Sequence, residues 1–442
     1  MKEIFFIIIQ LFVFIIFFST PFSLVINKIS KKVSNNNFYI ISLNFIFLSN
    51  VLLFFSFFKL NYNYIFFFQI ILSFFLILYF IYKQKILTNI FYKNIKIYLS
   101  FCFINLIFFF LLANHLRLEW DGLAFWFYKT SAFYQGASFE DLKNLVYQNY
   151  PHLGSFIWAF FWKNSYLQIE YFGRFIYIFA YILSIFSITD LLKKSYSANF
   201  KIIFCFLTIL FTYDHMLFGG YQEYLIFSIL LFASRFIYEY SFLNRNKLID
   251  LLVILFTANL LIWIKQEGIF YFLFIILLLI FNVVNNYLKK YIIIIFSILA
   301  IGLSIFLFHQ LIGGFNFQSK LLHNSFINDL NFFTILKKIS WITYYTFITF
   351  LKYPIWILIF ISFVAIIFIK NNSRINYFYT FLILNIIFIL AVFIHTPYNL
   401  REMLANASHR LMLQTAGFYI PLFIFLLNKY EKNFRTINNF FK

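Results

Sequence analysis

Two carboxylates stand directly beside a long apolar run. Glu119 and Asp121 flank Trp120, just after the apolar stretch 101–113. A carboxylate at the end of a membrane helix costs free energy, so its presence favours a functional role. Such a group can act as a general base or ligate a metal ion at the membrane–water boundary. The simpler alternative is that both acids cap a helix or pair with Arg117. We favour this alternative for Glu119 and the functional role for Asp121.

Glu223 is a further acidic position, and it follows a double glycine. Gly219 and Gly220 allow a tight turn or a close approach of two backbone segments. Glu223 then opens an apolar run, where a first-turn acid would stabilise the helix dipole. Alternatively, it meets the first carboxylate across a cavity and forms an acid/base or metal-binding pair. Both interpretations stay open.

Two basic residues, Lys265 and Arg410, adjoin apolar runs, and the predicted topology places both on the outer face of the membrane. Lys265 and Glu267 lie in a connection of very few residues, and Arg410 follows His409 just before the last apolar run. Lysine binds a phosphate group as a point charge, and the planar guanidinium of arginine suits phosphate or pyrophosphate. The alternative is that these cations snorkel to the membrane surface. For Lys265 the tightness of the connection favours a functional role.

A histidine follows a Tyr-Pro pair in the first polar region. His152, after Tyr150 and Pro151, could bind a hydroxyl group or a metal ion, because imidazole nitrogens do both. A lone histidine in an aromatic loop is more often a structural residue. Both interpretations stand.

The elements that must position these residues are membrane helices. The 442 residues are 63% hydrophobic and 11% charged, and repeated apolar runs of about 18 residues or more indicate helices that span a bilayer. The runs do not alternate, so a membrane β-barrel is excluded. We predict an all-α polytopic membrane protein with about thirteen transmembrane helices. The predicted spans are 4–26, 38–58, 64–82, 97–113, 171–192, 200–218, 221–240, 248–264, 268–287, 291–312, 341–369, 375–394 and 411–428. Span 341–369 is broken by a proline, which also fits a surface helix followed by one span.

The net charge of +20 comes from Lys and Arg in short loops, which set membrane orientation and meet anionic lipids rather than nucleic acid. Basic loops alternate with loops poor in Lys and Arg, which predicts a cytoplasmic C-terminal tail. The polar regions then placed on the outer face are 114–170, 214–223, 313–340 and 395–410. Within the first region, 122–134 and 153–162 predict helices that lie in the membrane interface. No Gly-rich nucleotide-binding loop occurs.

Taken in order, these motifs resemble the GT-C superfamily of integral-membrane glycosyltransferases, which use polyprenyl-phosphate sugar donors. The chain is most similar to bacterial lipopolysaccharide-core and aminoarabinose transferases. The resemblance rests on the acidic segment 119–126, on Tyr150-Pro151-His152, on Glu223, on the hairpin 265–268 and on 408–411. It covers roughly residues 97–290, and 400–428 loosely.

The resemblance implies inverting sugar transfer to a lipid, glycan or protein acceptor, outside the bacterial inner membrane. Asp121 would be the general base, and Lys265 and Arg410 would bind the phosphate leaving group. The candidate catalytic residues are Asp121, Glu119 and Glu223, and the candidate substrate-binding residues are Lys265, Glu267, His409, Arg410, Trp120, Trp126, Tyr150 and His152. The tryptophans and Tyr150 would stack on sugar faces. Use of a divalent cation, Mg²⁺ or Mn²⁺, stays open.

The resemblance also divides the chain. Residues 1–96 form extra N-terminal transmembrane helices, 97–312 a GT-C-like catalytic core, and 313–442 a C-terminal transmembrane region with outer loops. The chain departs from relatives in its extra early spans and in having no large folded domain after the core. Two alternatives remain: a transporter or flippase for a lipid-linked saccharide, and a membrane scaffold without catalysis.

Overall fold

The computed structural model of the protein describes residues 37–58, 95–312 apart from 146, 149, 166–167 and 243–247, then 332–368, 375–395 and 399–431, with six isolated positions between 64 and 78. All regular structure in these ranges is helical and they contain no β-strand, which confirms the all-α class. The predicted span 4–26, and most of 64–82, lie outside the described residues.

Fifteen α-helices make up the described structure. In chain order they are α1 (Asn37–Ser56), α2 (Ile95–Asn114), α3 (Tyr128–Tyr134), α4 (Leu153–Lys163), α5 (Glu170–Ser187), α6 (Ala198–Thr212), α7 (Glu223–Phe242), α8 (Leu248–Ile264), α9 (Gly268–Leu278), α10 (Tyr287–Ile312), α11 (Phe332–Lys352), α12 (Ile355–Ile367), α13 (Asn376–Ile394), α14 (Leu400–Met403) and α15 (His409–Lys429). Three π-helical turns extend them: Gly122–Phe127 leads into α3, Leu279–Val283 follows α9, and Leu404–Ser408 joins α14 to α15. Short 3-10 helices cover Glu140–Asn144, Ile188–Leu191 and His215–Leu217.

Seven of the described helical segments are long and apolar enough to cross a bilayer, which makes this an integral membrane protein. They are α1, α2, α5, α7, α10, α13 and the continuous segment α14–α15. The pair α11 and α12 is bent by 105° and would raise the number to eight. The expectation of thirteen spans is not confirmed. Apolar runs in the sequence do not distinguish a span from a shorter helix such as α6, α8 or α9.

The interior is built around α7, which packs against α15, α5 and α8. Helices α7 and α15 come close because Gly417 has no side chain: a Cβ atom there would collide with the carbonyl oxygen of Phe227. The hydroxyl of Ser234 on α7 also donates a hydrogen bond of 2.6 Å to the carbonyl oxygen of Phe418. A helix from the predicted C-terminal region therefore lies against the predicted core, and this places its first turn beside the start of α7.

The two short helices predicted in the first polar loop are present, but α4 differs from a helix lying among lipid headgroups. Its residues Leu153–Phe161 are all buried, and the helix packs against α3, α5 and α1. The apolar side chains of α4 lie on all sides of the helix instead of forming one stripe, and residues 153–161 are covered by protein on every side.

The close packing of α7 on α15 predicts the effect of adding one methyl group. We expect Gly417→Ala to lower the free energy of unfolding by about 1–3 kcal/mol, because the Phe227 backbone cannot move without disturbing α7. The matched control is Gly302→Ala on α10, where a Cβ atom meets nothing within 4 Å; there alanine should be neutral or stabilising. Denaturant unfolding in detergent micelles measures both variants. Equal stability of the two would contradict the packing described.

Candidate functional site

Two loops are joined backbone to backbone at glycines, and this contact sets the position of Asp121. A Cβ atom on Gly122 would collide with the carbonyl oxygen of Gly219. The same carbonyl accepts a 3.0 Å hydrogen bond from the backbone N–H of Glu119. Gly220 adopts a φ of +81°, a conformation that side chains disfavour. The loop that carries Asp121 therefore lies directly against the loop that leads into α7.

A second tight connection delivers Lys265. Helix α8 ends at Ile264 and α9 begins at Gly268, where a Cβ atom would collide with the carbonyl oxygen of Leu261. This hairpin turns Lys265 towards α7. Its ammonium lies 2.9 Å from Oε1 of Glu223 and 3.2 Å from Oε1 of Glu267.

Arg410 enters from the first turn of α15 and joins the two loops. Its Nε donates a 2.6 Å hydrogen bond to Oε1 of Glu223, and its terminal nitrogen pairs with Oδ2 of Asp121. The guanidinium carbon also lies 4.7 Å from the centre of the Tyr221 ring. One arginine thus connects two carboxylates that are 102 residues apart in sequence, at positions 121 and 223.

The electrostatics of this cluster centre on Glu223, whose side chain has no exposed surface. Burial works against the charge on Lys265, but the carboxylates of Glu223 and Glu267 outweigh it and raise the pKa of the lysine. Lys265 is therefore charged at neutral pH. Counting formal charges, Asp121, Glu223 and Glu267 give −3, while Lys265 and Arg410 give +2. The cluster carries one more carboxylate than it has cations.

The charged cluster forms one end of a cavity of about 310 Å³. Residues with charged or amide groups at that end are Asp121, Lys265, Gln266, Glu267 and Arg410. The remaining walls are aromatic or aliphatic: Phe125, Trp126, Tyr150, Phe270, Phe388, Val392, Phe393, Met403, Ala407 and Leu411. The cavity is amphipathic, so it matches a molecule that has an ionised group and an apolar part.

The structure brings six of the sequence-predicted residues to this cavity wall: Asp121, Lys265, Glu267, Arg410, Trp126 and Tyr150. Glu223 lies behind the wall, where it holds both cations. These six residues therefore line one cavity, and Glu223 supports it from behind without forming part of its surface.

Four other predicted residues lie elsewhere. Glu119 packs its side chain on Gly219 and does not line the cavity. Trp120 is 65% exposed and stands edge-on to the ring of Phe125, with centroids 5.2 Å apart. His409 precedes Arg410 on α15 but is absent from the cavity wall. The fourth, the loop histidine, is buried in the core.

His152 is a structural residue in this fold. Its Nε2 lies 2.7 Å from the hydroxyl of Ser56, and the rings of Phe57, Phe139 and Trp263 surround it. Burial lowers its pKa well below the usual value, and the nearby Lys129 adds to the effect, so the ring is neutral. Enclosed in this way, it cannot reach a ligand in the cavity.

Sequence reasoning missed a second charged cluster, centred on Asp214. Its Oδ2 lies 2.9 Å from the ammonium of Lys352 and accepts a 2.5 Å hydrogen bond from the hydroxyl of Tyr353. Burial alone would raise the pKa of Asp214, but the hydrogen bonds from these two partners lower it. The interaction fastens the bend between α11 and α12 to the loop before α7. Tyr353 lies 139 positions from Asp214 in the chain and Lys352 is its neighbour, and no spacing rule indicates such a pair.

The carboxylates of the described site are paired with cationic side chains. Among the described residues, no three His, Cys, Asp or Glu side chains come together in a way that would hold a metal ion. The carboxylates of Asp121 and Glu223 both face the guanidinium of Arg410, which takes the place a cation would need. The chemistry proposed below therefore includes no metal step.

Comparisons with protein-family models, curated proteins and solved structures find no match to this chain. The fold and the site define a helical integral membrane protein with an amphipathic, charged cavity. Its activity has to be argued from the chemistry of that cavity.

Substitution of Glu223 tests whether its ion pairs with Lys265 and Arg410 stabilise the folded protein. We expect Glu223→Gln to lower the free energy of unfolding by about 3–5 kcal/mol, because two partly buried cations lose their shared counter-charge. The control is Glu140→Gln, at an exposed acid in the first polar loop, which should change little. Denaturant unfolding in micelles measures both. If Glu223→Gln were as stable as the control, the ion pairs would not support the site.

The burial of Lys129 makes the stability of the protein depend on pH. This fully buried side chain donates a hydrogen bond to the carbonyl of Tyr150, in the cavity wall. Burial lowers its pKa from 10.5 to about 7. Between about pH 7 and pH 10.5 the unfolded chain keeps on Lys129 a proton that the folded protein has released. The free energy of unfolding therefore rises with pH across this range.

We therefore expect the melting temperature to gain less between about pH 6.5 and about pH 9 in Lys129→Met than in the unmodified protein. Lys143→Met, at an exposed lysine, should behave like the unmodified protein. Melting curves in detergent at the two pH values provide the comparison. An unchanged pH dependence in Lys129→Met would show that Lys129 is not the titrating group.

Proposed function

We propose that the protein is a membrane glycosyltransferase that moves a sugar from a polyprenyl-phosphate carrier to a lipid, glycan or protein acceptor. The proposed site faces the periplasm or cell exterior of a bacterial inner membrane. The single observation that carries the proposal is the amphipathic cavity. It combines two cations, two carboxylates and a lining of aromatic and aliphatic side chains.

The cavity matches the parts of such a donor. The phosphate would bind Lys265 and Arg410, since arginine and lysine are the usual phosphate-binding side chains. The polyprenyl chain would lie along the apolar residues Phe270, Phe388 and Leu411. An apolar chain gains about 25 cal/mol per Å² of surface removed from water, so this end would contribute much of the affinity.

The sugar would occupy the aromatic side of the cavity. Phe125 and Tyr150 lie with ring centroids 4.7 Å apart, and the ring of Trp126 stands edge-on to Tyr150 at 5.8 Å. Apolar ring faces pack against the C–H faces of sugars, so Phe125 and Tyr150 would supply a platform, with the buried Trp126 beside them. Lys129 holds the backbone of Tyr150 from behind and keeps the platform in place.

Donor binding would also activate the base. In the structure Arg410 is shared between Asp121 and Glu223. A phosphate that binds Arg410 competes with Asp121 for the guanidinium. Glu223 has no exposed surface and stays with the cations, so the exchange releases Asp121, which lies at the cavity wall.

The proposed transfer is a single displacement at the anomeric carbon of the donor sugar. The acceptor hydroxyl oxygen attacks the anomeric carbon from the face opposite the phosphate, and its proton passes to Asp121. The bond between the anomeric carbon and the phosphate oxygen breaks, and the electron pair leaves with the polyprenyl phosphate. Lys265 and Arg410 stabilise the negative charge that develops on the leaving group, usually a large term in catalysis. The product sugar has inverted anomeric configuration.

Asp121→Asn separates the proposed base from the binding residues. We expect kcat to fall by about 10²–10⁴-fold, because asparagine cannot accept the proton. The KM for the donor should stay equal or fall, because Arg410 loses a competing carboxylate. The measurement follows transfer of radiolabelled sugar from a polyprenyl-phosphate donor by protein in nanodiscs, with lipid extracts as acceptors. Glu140→Gln is the control and should retain the original kcat.

Two outcomes would contradict the proposal. Asp121→Asn with the original kcat would remove the general base. Movement of the intact donor across the membrane, with no glycosidic bond cleaved in the unmodified protein, would identify a flippase instead.

A further inference from the structure

A second hollow lies between α11 and residues 399–401. Its volume is about 440 Å³. Its lining consists of Thr334, Lys337, Lys338, Trp341, Asn399, Leu400 and Arg401. The charged cavity uses Val392, Phe393 and Met403, so α14 contributes residues to both hollows.

Two of the three cations of this hollow, Arg401 and Lys338, are held in place by neighbouring groups. The Arg401 guanidinium lies 3.8 Å from the centre of the Trp341 ring, a stacked cation–π arrangement. Lys338 donates a 2.6 Å hydrogen bond to the carbonyl oxygen of Ile394. An ammonium has three hydrogens, so Lys338 keeps donors for a ligand. The site therefore needs little ordering when an anion binds.

Acids do not neutralise the hollow. Within the described part of the chain, no carboxylate forms an ion pair with Lys337, Lys338 or Arg401. Glu402 is next in the chain, and its carboxylate accepts a 3.1 Å hydrogen bond from the side chain of Asn399. Three cations against one neighbouring acid leave an excess of positive charge.

The position of the hollow on α11 indicates where its ligand comes from. One face of α11 carries large exposed apolar side chains, at Phe333, Leu336, Tyr344, Phe347 and Leu351. At about 100° per residue these positions form a single stripe, which matches lipid better than water. The α11 residues that line the hollow lie between this stripe and the buried side of the helix. They are Thr334, Lys337, Lys338 and Trp341. A group bound there would lie next to membrane lipid.

We propose that this hollow binds the phosphate group of an anionic lipid headgroup. The guanidinium of Arg401 and the ammonium groups of Lys337 and Lys338 bind the phosphate oxygens, as charge-assisted hydrogen bonds. The acyl chains lie along the exposed stripe of α11. The inference does not depend on the proposed sugar transfer, because binding is measured without a donor.

The test is equilibrium binding of short-chain lipids to the full-length protein in a neutral detergent. The probes are dihexanoyl phosphatidylglycerol, dihexanoyl phosphatidylcholine and inorganic phosphate, with calorimetry as the readout. Phosphatidylglycerol should bind more tightly than the other two. Lys337→Gln and Arg401→Gln should each weaken its binding by about tenfold or more, as each removes a charged donor.

Two controls separate local binding from general charge or misfolding. Lys143→Gln removes one positive charge at an exposed position outside the hollow and should bind as the unmodified protein does. Lys337→Arg keeps the charge and should retain binding. Equal affinity for phosphatidylglycerol and phosphatidylcholine, or equal losses in Lys143→Gln, would overturn the proposal. Inorganic phosphate bound as tightly, with the same residue dependence, would assign the hollow to a soluble anion and overturn the lipid assignment.

Discussion

A carboxylate without exposed surface needs compensation from its neighbours, and in this protein Glu223 obtains it from two cations. The first residue of α7 meets Lys265 from the α8–α9 hairpin at 2.9 Å and Arg410 from α15 at 2.6 Å. Removing one member of such a buried group leaves an uncompensated charge, which costs several kcal/mol. The position of three elements is therefore tied to one carboxylate, and the loop that carries Asp121 joins them through Arg410.

The same constraint gives the cavity its chemical character. Because Glu223 lies behind the wall, the cavity surface itself carries two cations, Lys265 and Arg410, and two carboxylates, Asp121 and Glu267. In the proposed reaction, the donor phosphate would exchange with Asp121 while Glu223 stays paired with both cations. Arg401, Lys337 and Lys338 form a second basic hollow. The bend held by Asp214, Lys352 and Tyr353 positions α11, which carries most of that hollow.

The sequence was sufficient for the helical class and for most long helices, because runs such as those of α1, α2, α5 and α13 are uniformly apolar over a bilayer's thickness. It also indicated Asp121, Lys265 and Arg410, since charges beside apolar runs are rare. It did not reveal that Glu223 is a buried counter-charge or that Asp214 pairs with Lys352, because both depend on partners distant in the chain. His152 was ambiguous because packing, not residue type, decides where a side chain points. The number of spans is not confirmed, because hydropathy alone does not separate short buried helices from crossing ones among the described residues.

In the proposed reaction, Lys265 and Arg410 hold a lipid-linked phosphate in the amphipathic cavity, beside Asp121. An experimental structure of the protein in nanodiscs with a bound polyprenyl-phosphate sugar would test this arrangement. We expect phosphate oxygens within about 3.2 Å of the Lys265 and Arg410 nitrogens, a prenyl chain along Phe270 and Phe388, and Asp121 separated from Arg410. A phosphate bound elsewhere, with the Asp121–Arg410 pair intact, would contradict it.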